Sequence, residues 1–540
     1  MENRLVASLV KPDAPVWTWT LRAVVVATII PFWRAGHLPI ADLPQHVAEI
    51  ASLRHFFDPA WRVQEHFTLV LGKTQYLLYY LAGAVLAVPL GSAERANIVL
   101  LSAIAVALPY ALRSALRAFG RDERLALFGC VLFWNQALIM GFFNYLAALP
   151  VTLWCVAAAA RQMRDPTRAR GAAIALGAVA VFYLHVLAFV VCVLAIVCCA
   201  WWLDASTKLR VRLGALPRRL VYLVPAALCS LLWFVGSDVI QRPLREGAPA
   251  LSFAGPLERL ARIPDALLDI WWSRAHVAHA FVALAAIAAI LWTGRIHKSA
   301  TAERKVLAVL SASCAAFYLL LPSRVGFAMF LNERYAIWAV LFGVMLLPRA
   351  RGRAGALALA LTALAGIWAS ANATGEARAF DMEVGRFDEV LARAQPGKRT
   401  LALIFDNTSY TAKFPPYVHF GAYYRARYGG VATFSFAGMP QSPFRYRDEA
   451  KPPKSRRGEW NPCSFRNAIE GSYYDYVLVR GSIDPFSREP PGPRWRRIAH
   501  DGSWSLFERV AGAEVPRGAH PDRGPCSLDS NDDFAVCSFP

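Results

Sequence analysis

Charge is scarce in this sequence. Only 18% of its 540 residues are Asp, Glu, Lys or Arg, while 56% are hydrophobic. That balance excludes an ordinary soluble protein of this length and points to a polytopic membrane protein. The first apolar run, 16–33, is long enough to span, and no A-x-A-like site follows it, which excludes a cleaved signal peptide. There is no C-x-x-C pair, so the usual zinc frameworks are excluded. Seven of the ten cysteines (Cys130, Cys155, Cys192, Cys198, Cys199, Cys229, Cys314) lie in apolar segments and read as small core hydrophobes. The other three, Cys463, Cys526 and Cys537, lie in a polar tail, where Cys526 and Cys537 can pair if the tail faces an oxidising compartment. No internal repeat is present, and charges within the apolar runs are few. Both absences count against a transporter.

The charge that is present is mostly basic, for a net +20. Residues 372–540 hold 23 Lys and Arg against 20 Asp and Glu, a net +3, so +17 lies among the apolar segments. Basic residues between spans are a topology signal, and no nucleic-acid partner is expected. They gather in five clusters at 113–124, 161–170, 204–219, 294–305 and 349–353. By the positive-inside rule these face the cytoplasm. Between clusters the chain must cross twice, which pairs 124–134 with 144–160, 172–184 with 187–203, 219–236 with 276–293, and 305–321 with 334–348. Several of these runs are short for a span, as expected of broken or tilted helices around a wet cavity.

Charge parity leaves one apolar run too many near the N-terminus. The run 75–90 is short, carries Tyr76, Tyr79 and Tyr80, and ends at Pro89-Leu90-Gly91. It reads as a helix lying in the outer interface. The expected fold is then an α-helical polytopic membrane protein with about eleven transmembrane helices and a small α/β soluble domain at the C-terminus. The expected division is a membrane domain over 1–371, with a first outer loop at 34–94, and an extracytoplasmic domain over 372–540. The tail begins with a helical stretch at 376–394. Strands are expected at 400–406, 476–479 and 504–507.

The first outer loop carries the densest chemistry: Asp42, Gln45, His46 and Glu49 within eight residues. Asp42 with Gln45 three residues on reads structurally as a capping box, with Pro44 in the first turn. His46 and Glu49 share a helix face and can bind a metal, pair with a cation or supply a general base. His185 stands alone between two apolar runs, where an ionisable group is costly; its structural reading is a histidine bonded to the backbone at a turn. Arg334 sits at the outer end of a run, where it either snorkels or recognises an anion with its fork of donors. Asn144 reads as helix packing or as a cavity group, and Glu333 precedes Arg334.

Three motifs, Asp42-Leu43-Pro44-Gln45-His46, Gly141-Phe142-Phe143-Asn144-Tyr145 and Asn332-Glu333-Arg334-Tyr335, resemble those of bacterial multi-pass proteins grouped with the GT-C class of membrane glycosyltransferases. The layout resembles that class too, over roughly residues 16–371. The adjacent acidic pair usual in better-known members is replaced here by Asp42-Leu43. The resemblance implies a polyprenyl-phosphate sugar as donor, transferred to a lipid, glycan or protein acceptor in the cell envelope. It implies that Asp42 is the catalytic acid-loop residue, supported by His46 and Glu49. Arg334 would face the donor phosphate, and His185, Asn144 and Glu333 would line the cavity. The resemblance fixes no cofactor beyond the polyprenyl-phosphate sugar donor, and a divalent metal is compatible with the site. The protein would then lie in the inner membrane with its bilayer and its lipid-linked donor as partners. Two other functions fit the same sequence less well: a lipid or glycan flippase, and a structural membrane protein whose tail binds a partner.

Overall fold

The computed structural model describes residues 15–203, 209–237, 251–268, 270–294, 301–326, 328–453, 458–516 and 525. The chain divides into two compact units. One is built from residues 1–34 with 100–375, the other from residues 35–99 with 376–540. The first loop therefore belongs to the same unit as the C-terminal region.

Among the described residues, five helices are long and apolar enough to cross a membrane: Pro15–Trp33, Ala93–Ala118, Phe143–Arg164, Leu209–Gly236 and Gly352–Val384. Leu78–Leu90, Val186–Trp202, Val277–Thr293 and Arg334–Leu346 are shorter apolar helices. The protein is thus a predominantly helical membrane protein with a sheet-containing C-terminal region. Helices begin where the sequence supplies an oxygen for the unpaired amides. Thr167 caps Arg168–Leu184, and Thr301 caps Ala302–Leu320.

In the first unit Phe143–Arg164 packs against both Arg168–Leu184 and Val186–Trp202, and Ala302–Leu320 packs along Arg334–Leu346. One expected span is not a single helix. Residues 123–139 form three short pieces, Glu123–Leu127, Phe128–Val131 and Gln136–Ile139. Asn135 interrupts them: its Oδ1 accepts from the Leu138 amide, and its Nδ2 donates to the Leu132 and Phe133 carbonyls. Most of this stretch is buried, which is where non-helical backbone is tolerated at membrane depth. Small residues permit the close packing; a Cβ on Gly129 would lie 2.8 Å from Pro109 Cα.

The second unit is an α/β structure. Its five-stranded sheet runs in the order Val431–Thr433, Arg399–Ile404, Tyr476–Arg480, Trp504–Val515, Gly492–Asp501. The first three strands are parallel and the last two antiparallel. Leu401, Leu403, Val477, Val479 and Phe507 fill its core with Phe465 and Tyr474. The first loop adds a strand of its own, Phe67–Leu69, antiparallel to Phe444–Tyr446. A helical stretch at 376–394 does not occur as one element. The helix from Gly352 continues to Val384, ends at Gly385 with φ +63°, and is followed by the short helix Phe387–Leu391. Cys463 is disulfide-bonded, and the expected pairing of Cys526 with Cys537 lies outside the described residues.

Two features of the first loop fix its place in this unit. Leu78–Leu90 has 13 residues, about 20 Å of helix, too little for a hydrocarbon core of about 30 Å. Its tyrosines turn inward: Tyr79 Oη donates to Asn97, and Tyr80 Oη bonds His46 Nδ1. Secondly, His37 lies 3.1 Å from Asp381 and 3.3 Å from Asp388, and Arg427 bridges Asp388 to Glu94 at 2.6 Å each. Burial opposes charge on His37, but the two carboxylates outweigh it and raise its pKa.

Replacing Gly129 by Val should force Pro109 aside and lower stability by about 1–3 kcal/mol. A fall of several degrees in the unfolding temperature of the detergent-purified protein would show it; an unchanged temperature would contradict the packing.

Candidate active site

The helix Leu43–Arg54 carries the acid cluster. All residues from Leu43 to Ser52 are buried, polar ones included, so each polar group needs a partner. Gln45 spends both ends on the C-terminal region: Nε2 donates to the Phe434 carbonyl at 2.8 Å, and Oε1 accepts from the Phe436 amide at 3.2 Å. Glu49 is fully buried. Its Oε1 accepts from Arg425 Nη2 at 2.6 Å and its Oε2 from Ser442 Oγ at 2.8 Å. His46 bonds Tyr80 at 2.9 Å and stacks on its ring.

Asp42 stands at the N-terminus of this helix but makes no capping bond, so the capping box does not form. Its Oδ1 instead lies 3.3 Å from His419 Nε2. The other ring nitrogen of His419, Nδ1, lies 2.8 Å from Glu459 Oε2. His419 and Glu459 are buried, whereas the Asp42 side chain keeps 21% of its surface exposed. Burial opposes charge on His419, but the carboxylates of Asp42 and Glu459 outweigh it and raise its pKa to about 9. Burial pushes Glu459 up as well, against the pull of His419.

The remaining expected residues belong to the other unit. Arg334 opens the helix Arg334–Leu346. Its guanidinium lies 4.0 Å from the Phe142 ring centroid, its Nη1 lies 3.1 Å from His185 Nε2, and its Nη2 donates to the Met329 carbonyl at 3.3 Å. Arg334 Nε is buried without a partner, and no carboxylate pairs with this guanidinium among the described residues. His185 Nδ1 accepts from the Leu187 amide at 3.2 Å, which starts the next helix. The guanidinium and the imidazole thus lie side by side at the start of this helix. Tyr145 Oη donates to the Arg334 carbonyl and its ring packs edge-on to His185.

A small cleft opens beside this arginine, lined among others by Asn135, Gln136, Phe142, Tyr145, Glu333 and Arg334. Glu333 Oε2 and Asn144 Oδ1 are buried without partners. Phe330, also in the lining, holds φ +56°, a strained value for a bulky side chain. Among the described residues, no three His, Cys, Asp or Glu side chains gather to hold a metal ion.

Local sequence singles out Asp42 and Arg334 as candidates but gives no sign of His419, Glu459 or Arg425. His419 lies in an aromatic stretch with no acid near it in sequence, and Arg425 meets Glu49 across 376 residues. Local spacing carries no signal for such pairs.

The fold, a helical unit and an α/β unit, is similar to that of solved membrane proteins of the GT-C type. No family profile matches the chain, and no curated sequence does. Among solved structures it resembles ArnT from Cupriavidus metallidurans bound to undecaprenyl phosphate, with a TM-score of 0.55 and 10% identity over 94% of this chain and 100% of that one. The apo state of the same protein gives 0.52 and 12% over 92% and 98%. The arabinofuranosyltransferase AftD from Mycobacteria gives 0.46 and 13% over 90% of this chain and 39% of that one.

The Glu49–Arg425 pair is the internal test of this geometry. Arg425→Ala leaves a buried carboxylate uncompensated and should lower stability by about 3–5 kcal/mol. Thermal unfolding of the purified full chain would read this as loss of the folded state at a much lower temperature, whereas a surface arginine such as Arg488 should be silent.

Proposed function

We propose that this protein is a membrane glycosyltransferase that moves a sugar from a polyprenyl-phosphate donor to an acceptor outside the cytoplasm. The observation that carries the reading is the full-length fold likeness to a structure holding undecaprenyl phosphate. Arg334 supports it, because a half-buried guanidinium with no carboxylate ion pair among the described residues is a fit for a phosphate.

Each residue then has a defined task. Asp42 takes the proton from the acceptor hydroxyl or amine as that atom attacks the anomeric carbon. The bond from that carbon to the phosphate oxygen breaks, and the polyprenyl phosphate leaves with its electron pair. Arg334, with His185 and Phe142 beside it, offers its guanidinium to an anionic group of the donor. Glu49 holds the helix that carries Asp42, and His46 packs it against Tyr80. Glu333 and Asn144, in the same unit as Arg334, each keep a buried oxygen without a partner for polar groups of the donor. The proposed location is the inner membrane, with residues 376–540 on the extracytoplasmic side.

Mass spectrometry of cell-surface glycans and polyprenyl-phosphate sugars, with and without the protein, tests the reading. A lipid-linked sugar should accumulate and a surface glycan should lose that sugar when the protein is absent; unchanged profiles of both would refute it. Asp42→Asn removes the basicity, and Arg334→Lys keeps the charge but loses the fork. Each should cut transfer by a factor on the order of a hundred or more at unchanged abundance. A reporter that is active only in the cytoplasm, fused after Pro540, should be silent.

A further inference from the structure

The arrangement behind Asp42 is more elaborate than a lone base requires. His419 faces it through Nε2 at 3.3 Å and is held on its far side by Glu459 at 2.8 Å. The imidazole is fixed in its plane by Phe434, stacked at a centroid distance of 5.3 Å, and by the edges of Phe436 and Trp460. Space is reserved for Glu459 as well: a Cβ on Gly421 would lie 3.0 Å from its Oε1 and 2.6 Å from Ala402 Cβ. That oxygen is buried and has no partner. A carboxylate with one oxygen unsatisfied is costly to bury, which argues against a purely stabilising role. Asp42 itself bonds through Oδ1 alone, and its Oδ2 has no polar partner among the described residues.

We propose that His419 and Glu459 are positioning residues for the base. The imidazolium, anchored by Glu459, donates its Nε2–H to Asp42 Oδ1 and thereby aims the free Oδ2 at the acceptor. Glu459 fixes the ring so that this donor points one way, as a buried acid orients an imidazole in many hydrolytic sites. The proposal rests on the glycosyltransferase reading and assigns it two further residues.

The charged groups facing the imidazole are Asp42 and Glu459; its other neighbours are aromatic. Both carboxylates favour the protonated ring, so the sign is fixed. The donor to Asp42 is present at neutral pH and is lost as pH rises through the raised pKa of His419, about 9. Removing the Glu459 charge should bring that loss to lower pH.

The test uses washed membranes containing the full-length chain. Consumption of the endogenous polyprenyl-phosphate-linked sugar is followed by mass spectrometry across neutral and alkaline pH. The native chain should lose activity on an alkaline limb near the His419 pKa. Glu459→Gln, which keeps size and an acceptor oxygen, should lower the neutral rate about ten-fold and move that limb down by about one pH unit or more. His419→Gln should lower the rate at least as much and abolish the limb. A residue that only stabilises the fold would change the amount of active protein and leave the limb where it was, and that result would overturn the proposal. Should His419→Gln not accumulate in membranes, Glu459→Gln decides alone. Asp42→Asn separates the two levels. If it abolishes consumption while Glu459→Gln changes neither rate nor limb, positioning is wrong and the transferase reading stands. If the native chain consumes no lipid-linked sugar, the transferase reading falls and the positioning role falls with it.

Discussion

The second unit depends on one constraint: a helix buried on every side cannot keep polar side chains unless the rest of the unit supplies their partners. Leu43–Arg54 buries Gln45, His46 and Glu49 within its first two turns. An isolated buried carboxylate is prohibitive, and Arg425, itself almost fully buried, is what makes Glu49 tenable. Gln45 likewise requires the backbone of Phe434 and Phe436. Those partners come from the far end of the chain. The segments 35–99 and 376–540 therefore fold as one body, although 276 residues of largely apolar sequence separate them.

The first unit applies the same physics with a different outcome. Where its charges are structural they are closed: Arg124 and Asp122 are buried together, and Arg124 also donates to the Ala350 carbonyl. Arg334 is the contrast. Its guanidinium meets a ring, an imidazole and one carbonyl, and the neighbouring Glu333 carboxylate acts on it only at a distance. A half-buried cation with no direct ion pair beside a pocket reads as a place for an anion that arrives from outside. The strained Phe330 and the orphaned oxygen of Glu333 lie at the same helix start, as expected where local order serves binding before stability.

How far the sequence announces this depends on the range of the interactions. Helices such as Phe143–Arg164 and Ala302–Leu320 are legible because one end of each apolar run carries a basic cluster. The central strands Arg399–Ile404 and Tyr476–Arg480 are legible as compact β-branched and aromatic runs. The edge strand Gly492–Asp501 is not, because Arg494, Arg496 and Arg497 protect it in the manner of edge strands and mask its pattern. The 123–139 segment misleads for the opposite reason: it is apolar enough to span, and only Asn135 betrays the break. At the site, Asp42 and Arg334 stand out as charges at the ends of apolar runs. His419, Glu459 and Arg425 do not, since their meaning lies in partners hundreds of residues away.

Asp42 shows how the two kinds of information combine. An aspartate at a helix start has a local use, and forgoing the cap costs about 1 kcal/mol. The chain forgoes it: the carboxylate turns from the amides of its own helix to His419. Helix formation alone does not call for that, because Pro44 already suits the first turn and the helix is held by Gln45 and Glu49 one and two turns further on. The side chain's direction is set by the imidazole, and the imidazole's by a buried acid with an oxygen to spare. A residue that gives up its cheapest interaction to point elsewhere is positioned for what it meets there, and at Asp42 that is the one partly exposed end of an otherwise buried chain of charge.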